Sequence, residues 1–325
     1  MRAAYIEQIG PPEVVRYGEL PDPVPGPTDV LVEVRCTTVN PVDTLIRAGK
    51  YPVPMPFPFV VGRDLVGRVA VAGPGAAGFS AGDLVWCNSL GHDGRQGAAA
   101  ELAVVPAERL YRLPDGVNPT DAVTVLHPAA TAYLGLIVHA GFRIGETVLV
   151  AGGAGNVGSA AIAIAAAAGA RVIATASPTD AAYCRDLGAW QVLDYHDPAL
   201  PERVHELRPD GIDVYFDSAG ANDLSAAVRV LAERGRIVLI SGTQRPELSV
   251  APLFQKTGSI RGFVISRATV PELAAAAREV NRLMAGGRLR ARSTVDRPLA
   301  ELGDLHRQLE TGELRGRRVV VEVKE

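Results

Sequence analysis

Cysteine is scarce in this chain: Cys36, Cys87 and Cys184 are the only three in 325 residues, and they lie far apart. An odd number at such spacing excludes a disulfide framework, and without a CxxC pair there is no cysteine metal knuckle. The pattern fits a reducing cytoplasm. The histidines do not compensate. His92, His127, His139, His196, His205 and His306 show no H-x₃-H spacing. An excess of charge of one sign is also lacking. With 33 Lys and Arg against 36 Asp and Glu the net charge is −3, so electrostatics gives no reason to expect nucleic acid or an anionic membrane as partner. Near the N-terminus, Glu7 stands where a secretory signal would need an apolar core, and no export is expected. Internal repeats and low-complexity tracts are missing apart from alanine enrichment within helices.

What is present is the composition of a soluble globular protein, 47% apolar and 21% charged, with enough residues for two domains. One stretch departs from it. Between Thr147 and Ala170 there is no charged residue, a run long enough for a membrane span. Glycines break it at its centre, where a span would need continuous helix hydrogen bonding. It reads instead as a strand (TVLVAG), a tight turn (Gly153-Ala154-Gly155-Asn156-Val157-Gly158) and a helix (SAAIAIAAAAGA) ended by Gly169. That is a complete G-x-G-x-x-G in the strand–turn–helix context of a dinucleotide site. Gly153 is expected to permit the sharp turn and Gly155 to let the backbone approach a pyrophosphate. Gly158 is expected to allow close helix–strand packing, with the helix N-terminus facing the anion.

The end of the next strand, RVIATASPTD, bears on which dinucleotide binds. An NAD enzyme usually presents an acid there to the ribose 2′-OH. Ala176 and Ser177 are neutral and leave room for a 2′-phosphate, to which Tyr195 after the third strand could donate. Asp180 stands nearby and no Lys or Arg precedes Arg185; Asp180 also reads as a first-turn acid of the following helix. NADPH is favoured over NADH.

Around this motif the chain changes texture. The first third carries short apolar or alternating segments (DVLVEVRCTTVN, VVGRDLVGRVAVAG, DLVWCN, AELAVVPAERLYRLP) punctuated by Gly and Pro, which predicts a compact β-barrel. From about Asp121 strands and helices alternate, which predicts a parallel sheet covered on both faces. The last strand, in LRGRRVVVEV, is expected to return to the first domain, the basic residues forming a charged edge before the strand in preference to an anion site. The fold class expected is α/β, with residues 1–122 and 298–325 in the barrel domain and 123–297 in a Rossmann, doubly wound domain.

Segments in this order resemble a known family. VNPVDTLIRAGKYP, VVGRDLVGRV, AGDLVW, VPAERLYRLPDGV, ATAYLGL, AGGAGNVG, LGAWQVLDY and FDSAG cover nearly the whole chain. The chain is similar to the zinc-independent quinone oxidoreductases (zeta-crystallin-like) of the medium-chain dehydrogenase/reductase superfamily, whose layout is a GroES-like barrel, a Rossmann domain and a returning tail. The segments that would carry catalytic zinc ligands in zinc-dependent relatives, NPVDTLIRAG and VGRDLVG, hold neither Cys nor His, so no metal is expected.

Without a Lewis acid, hydrogen-bond donors must stabilise charge developing on the substrate. Quinones and α,β-unsaturated carbonyls suit this, because hydride addition gives a delocalised phenolate or enolate. Tyr51 is the expected donor to the substrate, as the resemblance implies for a Tyr at this position. Asn40 is expected to contact the nicotinamide ribose or the substrate carbonyl. Asp43 would hold the segment in place, although an Asx-Pro turn and helix cap explain it equally. Because ligands of open α/β sheets sit beyond the carboxyl ends of strands, Ser218 and Ala219, Ser241, Gly242 and Thr243, and Phe263 are expected to line the cofactor. Thr131 resembles the family's Thr near the nicotinamide. The function expected is an NADPH-dependent quinone or enone reductase. An enoyl-thioester reductase and a non-catalytic NADPH-binding protein remain open. A homodimer is expected, since SIRGFVISR reads as an unpaired sheet edge.

Overall fold

A computed structural model describes residues 1–242, 245, 247, 248 and 250–323. The chain divides into two compact units, Met1–His127 with Leu273–Glu325 and Pro128–Glu272. In chain order the first unit contributes β1 (Arg2–Ile6), β2 (Arg16–Glu19), β3 (Asp29–Thr37), β4 (Phe59–Val60), β5 (Leu65–Ala72), β6 (Leu84–Cys87), β7 (Leu102–Pro106) and β8 (Tyr111–Arg112). The second holds β9 (Thr147–Ala151), β10 (Arg171–Ala176), β11 (Gln191–Asp194), β12 (Ile212–Asp217), β13 (Leu231–Leu239) and β14 (Ser259–Gly262). The chain then returns to the first unit with β15 (Thr294–Pro298) and β16 (Arg318–Glu322).

In the first unit β3 is the spine. Its sequence DVLVEVRCT alternates, so one face enters the core while Glu33 and Arg35 face water. It pairs antiparallel with β5, β7 and β16, and β15 joins β16 in parallel. The returning strand is therefore part of the barrel, as expected. A second, three-stranded sheet runs β2-β1-β4. Both sheets supply one apolar core that includes Ile6, Val32, Phe59, Leu65, Leu305 and Val321.

The second unit is a six-stranded parallel sheet in the order β11-β10-β9-β12-β13-β14. All five residues of β9 are buried, the uniform apolar strand of a sheet covered on both faces. β9 and β12 are neighbours whose connections run to opposite sides, which puts the topological switch point at their carboxyl ends. The segment after helix Leu126–Tyr133 widens to π-type turns over Leu134–His139, with Ala140 N–H donating to Gly135 O at 2.8 Å. There a Cβ on Gly135 would lie 2.3 Å from the Phe216 ring, so glycine is what lets this turn rest on β12. Among the described residues no helix is long and apolar enough to cross a membrane.

The units divide at 127/128 and 272/273, where the sequence placed the divisions at 122/123 and 297/298. The cause lies in two attachments that periodicity does not reveal. Trp86 Nε1 donates to Asn281 Oδ1 at 2.9 Å and Asn281 Nδ2 to Arg112 O at 3.0 Å, tying the end of helix Val270–Ala285 to the barrel. β15, starting at Thr294, pairs with β16.

Within the parallel sheet, Arg236 of β13 grips the entry to β9. It donates to Glu146 from Nη1 at 3.0 Å and Nη2 at 2.7 Å, and from Nε to Ala140 O at 2.9 Å. Both charged side chains are less than a fifth exposed. Arg236→Ala leaves Glu146 poorly solvated, and a loss of about 1–3 kcal/mol in urea unfolding is expected. A change within about 0.5 kcal/mol, the scale of an ordinary surface substitution, would show that the pair contributes little.

Candidate functional site

The glycine turn joins β9 to helix Asn156–Ala167, and three of its glycines are required for different reasons. Gly152 turns the chain, with φ +76°. Its N–H donates to Thr175 Oγ1 at 3.1 Å, and the next N–H, on Gly153, donates to Thr175 O at 2.8 Å, which locks the turn to β10. The sharp bend therefore belongs to Gly152, not to Gly153 as the motif spacing suggested. Gly153 is instead a packing position, where a Cβ would lie 2.9 Å from Ala174 Cβ and from Ile162 Cδ1. At Gly158 a Cβ would meet Gly152 O at 2.1 Å and Ser218 Oγ at 2.7 Å. Gly155 is different. It is the helix N-cap, and a Cβ there would meet only Gly152 O, at 3.2 Å. Asn156, Val157 and Gly158 open the helix, the part of any helix whose N–H groups lack intrahelical acceptors and favour an anion.

Next to this turn the end of β12 is organised by one carboxylate. Asp217 is 2% exposed, and its Oδ1 accepts from the N–H groups of Ala219 (3.0 Å) and Gly220 (2.9 Å). Its Oδ2 accepts from Asn222 N–H (2.9 Å) and Nδ2 (3.0 Å). Asn222 then donates to Ser241 O at 3.1 Å, so the ends of β12 and β13 are joined. Ser218 donates to Ala151 O at 2.6 Å, and Ala219 packs on Gly152. Asp217 and Asn222 were not among the residues picked from sequence. An Asp closing an apolar strand ahead of Ser-Ala-Gly was the available signal.

Farther along the same edge, Leu239, Ser241, Gly242, Phe263, Val264 and Arg267 line a cleft of about 440 Å³. The Phe263 ring stacks on His139 with centroids 4.3 Å apart. The expected Ser218, Ala219, Ser241, Gly242 and Phe263 thus gather along the ends of β12, β13 and β14 beside the glycine turn. Thr131 is buried in helix Leu126–Tyr133. Thr243 lies outside the described residues. Ser177 and Tyr195 follow β10 and β11, and the parallel pairing of Ala176 with Asp194 makes them register neighbours. Ser177 Oγ lies 2.9 Å from Asp180 Oδ2 and 2.8 Å from Thr179 Oγ1, while Tyr195 is half exposed and packs at a tilt on the His196 ring. Asp180 makes no side-chain cap to the helix that follows it. It is the first-turn acid of the short helical turn Pro178–Asp180, as read from the sequence, and its carboxylate accepts from Ser177, the residue that precedes that turn.

The first unit holds a buried polar cluster. Asn40 is 2% exposed; its N–H donates to Asp43 Oδ2 at 2.7 Å and caps helix Pro41–Arg47. Its Nδ2 donates to Asp64 Oδ2 at 3.0 Å, and its Oδ1 accepts from Arg318 Nη2 at 3.1 Å. Asn40 thus serves this network, an arrangement not expected for a residue assigned to a cofactor or substrate. Arg318 also donates to Thr124 O (2.8 Å) and Val39 O (3.3 Å). The arginine that opens the last strand is therefore buried, while Arg315 and Arg317 before the strand are exposed, the charged edge expected there. Burial pushes the Asp64 carboxyl up to about 8, against the opposing hydrogen bond from Asn40 and the nearby arginines; Asp43 is raised to about 6. His127 Nδ1 lies 3.5 Å from Asn88 O and 3.8 Å from Asp64 Oδ1. Tyr51 is half-buried against the core of this unit, with its N–H donating to Leu45 O at 3.1 Å.

Comparison with known proteins agrees with both halves. A family model described as an alcohol dehydrogenase GroES-like domain matches residues 26–115, and one described as a zinc-binding dehydrogenase matches 156–280. A quinone oxidoreductase of Pseudomonas aeruginosa is 34% identical over 289 residues, covering 86% of this chain and 87% of that protein. The chain belongs to the medium-chain dehydrogenase/reductase family. Another of its members, bovine prostaglandin reductase-3, is 33% identical over 83% of this chain and 73% of that protein. A solved mycobacterial member complexed with NADPH superposes with a TM-score of 0.83 at 30% identity, over 99% of each chain.

One of the two family models carries zinc in its description, so the donor set matters here. Among the described residues no group of three or more His, Cys, Asp or Glu could hold a metal ion. His127 and Asp64 approach one another, with Asn40, Asp43 and two arginines also close to Asp64, and a guanidinium is no metal ligand. Among the described residues the donor set does not fit a catalytic zinc.

The glycine geometry separates two substitutions that the motif alone treats alike. Gly158→Ala forces a methyl into the Gly152 carbonyl and is expected to lower the melting temperature by several degrees, about 4 °C per kcal/mol lost at most for a chain of this size. Gly155→Asp meets little protein and is expected to melt within about 2 °C of the parent. Equal melting of the two variants would show that the close approach at Gly158 is relieved at no cost.

Proposed function

We propose that this chain is an NADPH-dependent reductase that delivers hydride to a quinone or an α,β-unsaturated carbonyl without a metal. The observation that carries the reading is the glycine turn at the switch point: Gly152 bends the chain, Gly158 brings the helix onto it, and Gly155 leaves the anion side open. The mycobacterial relative's bound NADPH supports the cofactor, and the P. aeruginosa and bovine relatives support the two substrate classes. NADPH, when bound, supplies the hydride. The chain's own residues orient it and stabilise charge. The N–H groups at the start of helix Asn156–Ala167 take the pyrophosphate. Ser177 and Tyr195, adjacent in register, offer hydroxyls to a 2′-phosphate beyond the neutral Ala176 that ends β10, and Ser177 gives up its hydrogen bond to Asp180 to do so. Ser218, Ala219, Ser241, Gly242, Phe263 and Thr131 line the cofactor. Tyr51 donates to the substrate oxygen, where hydride addition builds a delocalised phenolate or enolate. The exposed edge formed by β14 supports the further proposal of a homodimer, and a cytoplasmic location goes with the cysteine usage.

The test is NADPH oxidation by the purified chain with a panel of quinones, enones and 2-enoyl thioesters. Turnover of the first two, retained after exhaustive chelation, is expected. Preference for thioesters would move the substrate class, and failure across the panel with NADPH still bound would leave a binding protein. Gly155→Asp is expected to weaken NADPH binding by at least tenfold, since a carboxylate faces the pyrophosphate; each tenfold is about 1.4 kcal/mol. Unchanged fluorescence titration would sink the site. Tyr51→Phe should lower kcat by roughly 10²-fold with NADPH affinity unaltered. If kcat and KM both stay at the parent values, Tyr51 is a loop prop.

A further inference from the structure

In the parallel-sheet unit, the chain leaving β10 meets an acid of its own. Ser177 donates to Asp180 Oδ2 at 2.9 Å, and its oxygen lies 2.8 Å from Thr179 Oγ1. A serine hydroxyl has a single proton. With that proton on Asp180, the Thr179 hydroxyl is the donor of the second bond. Ser177 and Asp180 are half-buried, and Tyr195, the register neighbour that follows β11, is exposed. The flanking sequence is poor in cations. From Ala176 to Asp197 it holds four acids, Asp180, Asp186, Asp194 and Asp197, against one base, Arg185. His196 does not redress the balance, because its Nδ1 and its backbone N–H already face Asp194 Oδ1, at 2.9 and 3.0 Å.

A phosphate monoester brings about two negative charges and serves as a hydrogen-bond acceptor. To meet one, Ser177 must turn its proton away from Asp180, and the phosphate then faces the carboxylate with like charge. A ribose 2′-hydroxyl meets no such conflict. It donates to the Asp180 carboxylate while Ser177 keeps its place. We propose, on the reading of the glycine turn as the pyrophosphate site, that Asp180 sets the cofactor selectivity of this chain. Its carboxylate receives the 2′-hydroxyl of NADH and opposes the 2′-phosphate of NADPH, so that both nucleotides bind. The Ser177 and Tyr195 hydroxyls favour the phosphate, and the one nearby acid offsets part of that gain. Asp180 comes to this place as the last residue of the helical turn Pro178–Asp180, which brings it back toward Ser177.

Calorimetric titration of the full chain with NADPH and with NADH decides this without turnover. The parent is expected to bind both, with NADPH favoured by no more than about tenfold in Kd. Asp180→Asn keeps an acceptor for Ser177 and removes the charge. It is expected to tighten NADPH at least about fivefold at low salt and to leave NADH unchanged or weaker. The gain should shrink in about 0.5 M salt, because charges near the surface are screened, which a packing change would not reproduce. An Asn variant with the parent's ratio of Kd values at low salt would overturn the proposal. So would a parent that favours NADPH by more than about tenfold, a result that does not depend on the variant. Binding of neither nucleotide would be a different failure, overturning the pyrophosphate site and the selectivity together.

Discussion

Of the glycines described in the parallel-sheet unit, Gly158 leaves the least room for a side chain, because a Cβ there would lie 2.1 Å from the Gly152 carbonyl oxygen, and the cofactor end of the unit depends on this. A helix can start this near the end of β9 only if its third residue has no side chain. Once the helix is seated there, its N-terminal N–H groups point beyond the carboxyl edge of the sheet, where they have no intrahelical acceptor. The neighbouring loop is built to the same tolerance. Ala219 packs on Gly152, Ser218 donates to the carbonyl of Ala151, and the Asp217 carboxylate gathers four donors so that the loop cannot drift. Three of the five positions after β12, Ala219, Gly220 and Asn222, are thus held by one buried acid.

The barrel unit solves a different problem. It buries two aspartates, two arginines, an asparagine and a histidine close together, which is stable only if charges compensate and lone pairs find donors. Asn40 is the connector, with its amide between Asp64 and Arg318 and its N–H on Asp43. Arg318 enters from the returning C-terminal strand, so the first and last thirds of the chain share one hydrogen-bond network. That network, together with β16 beside β3, accounts for a C-terminal segment belonging to the N-terminal barrel.

The strand–turn–helix at 147–167, the parallel sheet, the barrel and the returning strand are all legible in the sequence, because each writes a period or a glycine spacing into the chain. What escaped reading lacks a period. The bend at Gly152 looks like one more glycine in a run until its φ is known. Arg318 sits in RGRRVVVEV, where three arginines look alike and only the barrel decides which one is buried. Asp217 ends a strand as many acids do, and its four donors come from residues whose positions depend on a loop conformation. The hydrogen bond from Ser177 to Asp180 is likewise a matter of side-chain choice. The bond from Trp86 to Asn281 joins two residues nearly two hundred positions apart, which no local pattern announces.

Helix Asn156–Ala167 contains seven buried residues, and besides Gly158 these are alanines and two isoleucines. Alanine has no rotamers to lose on burial, and isoleucine few. This helix therefore gives up little side-chain freedom in folding and keeps little to give up afterwards. Its small side chains also let its axis lie close to the sheet, where a larger set would hold it away. The N–H groups at its start are then stationary before any anion arrives, and ligand binding need not include the ordering of the groups that receive it. An alanine-rich stretch that looks compositionally dull is in this respect the most rigid part of the anion-binding edge.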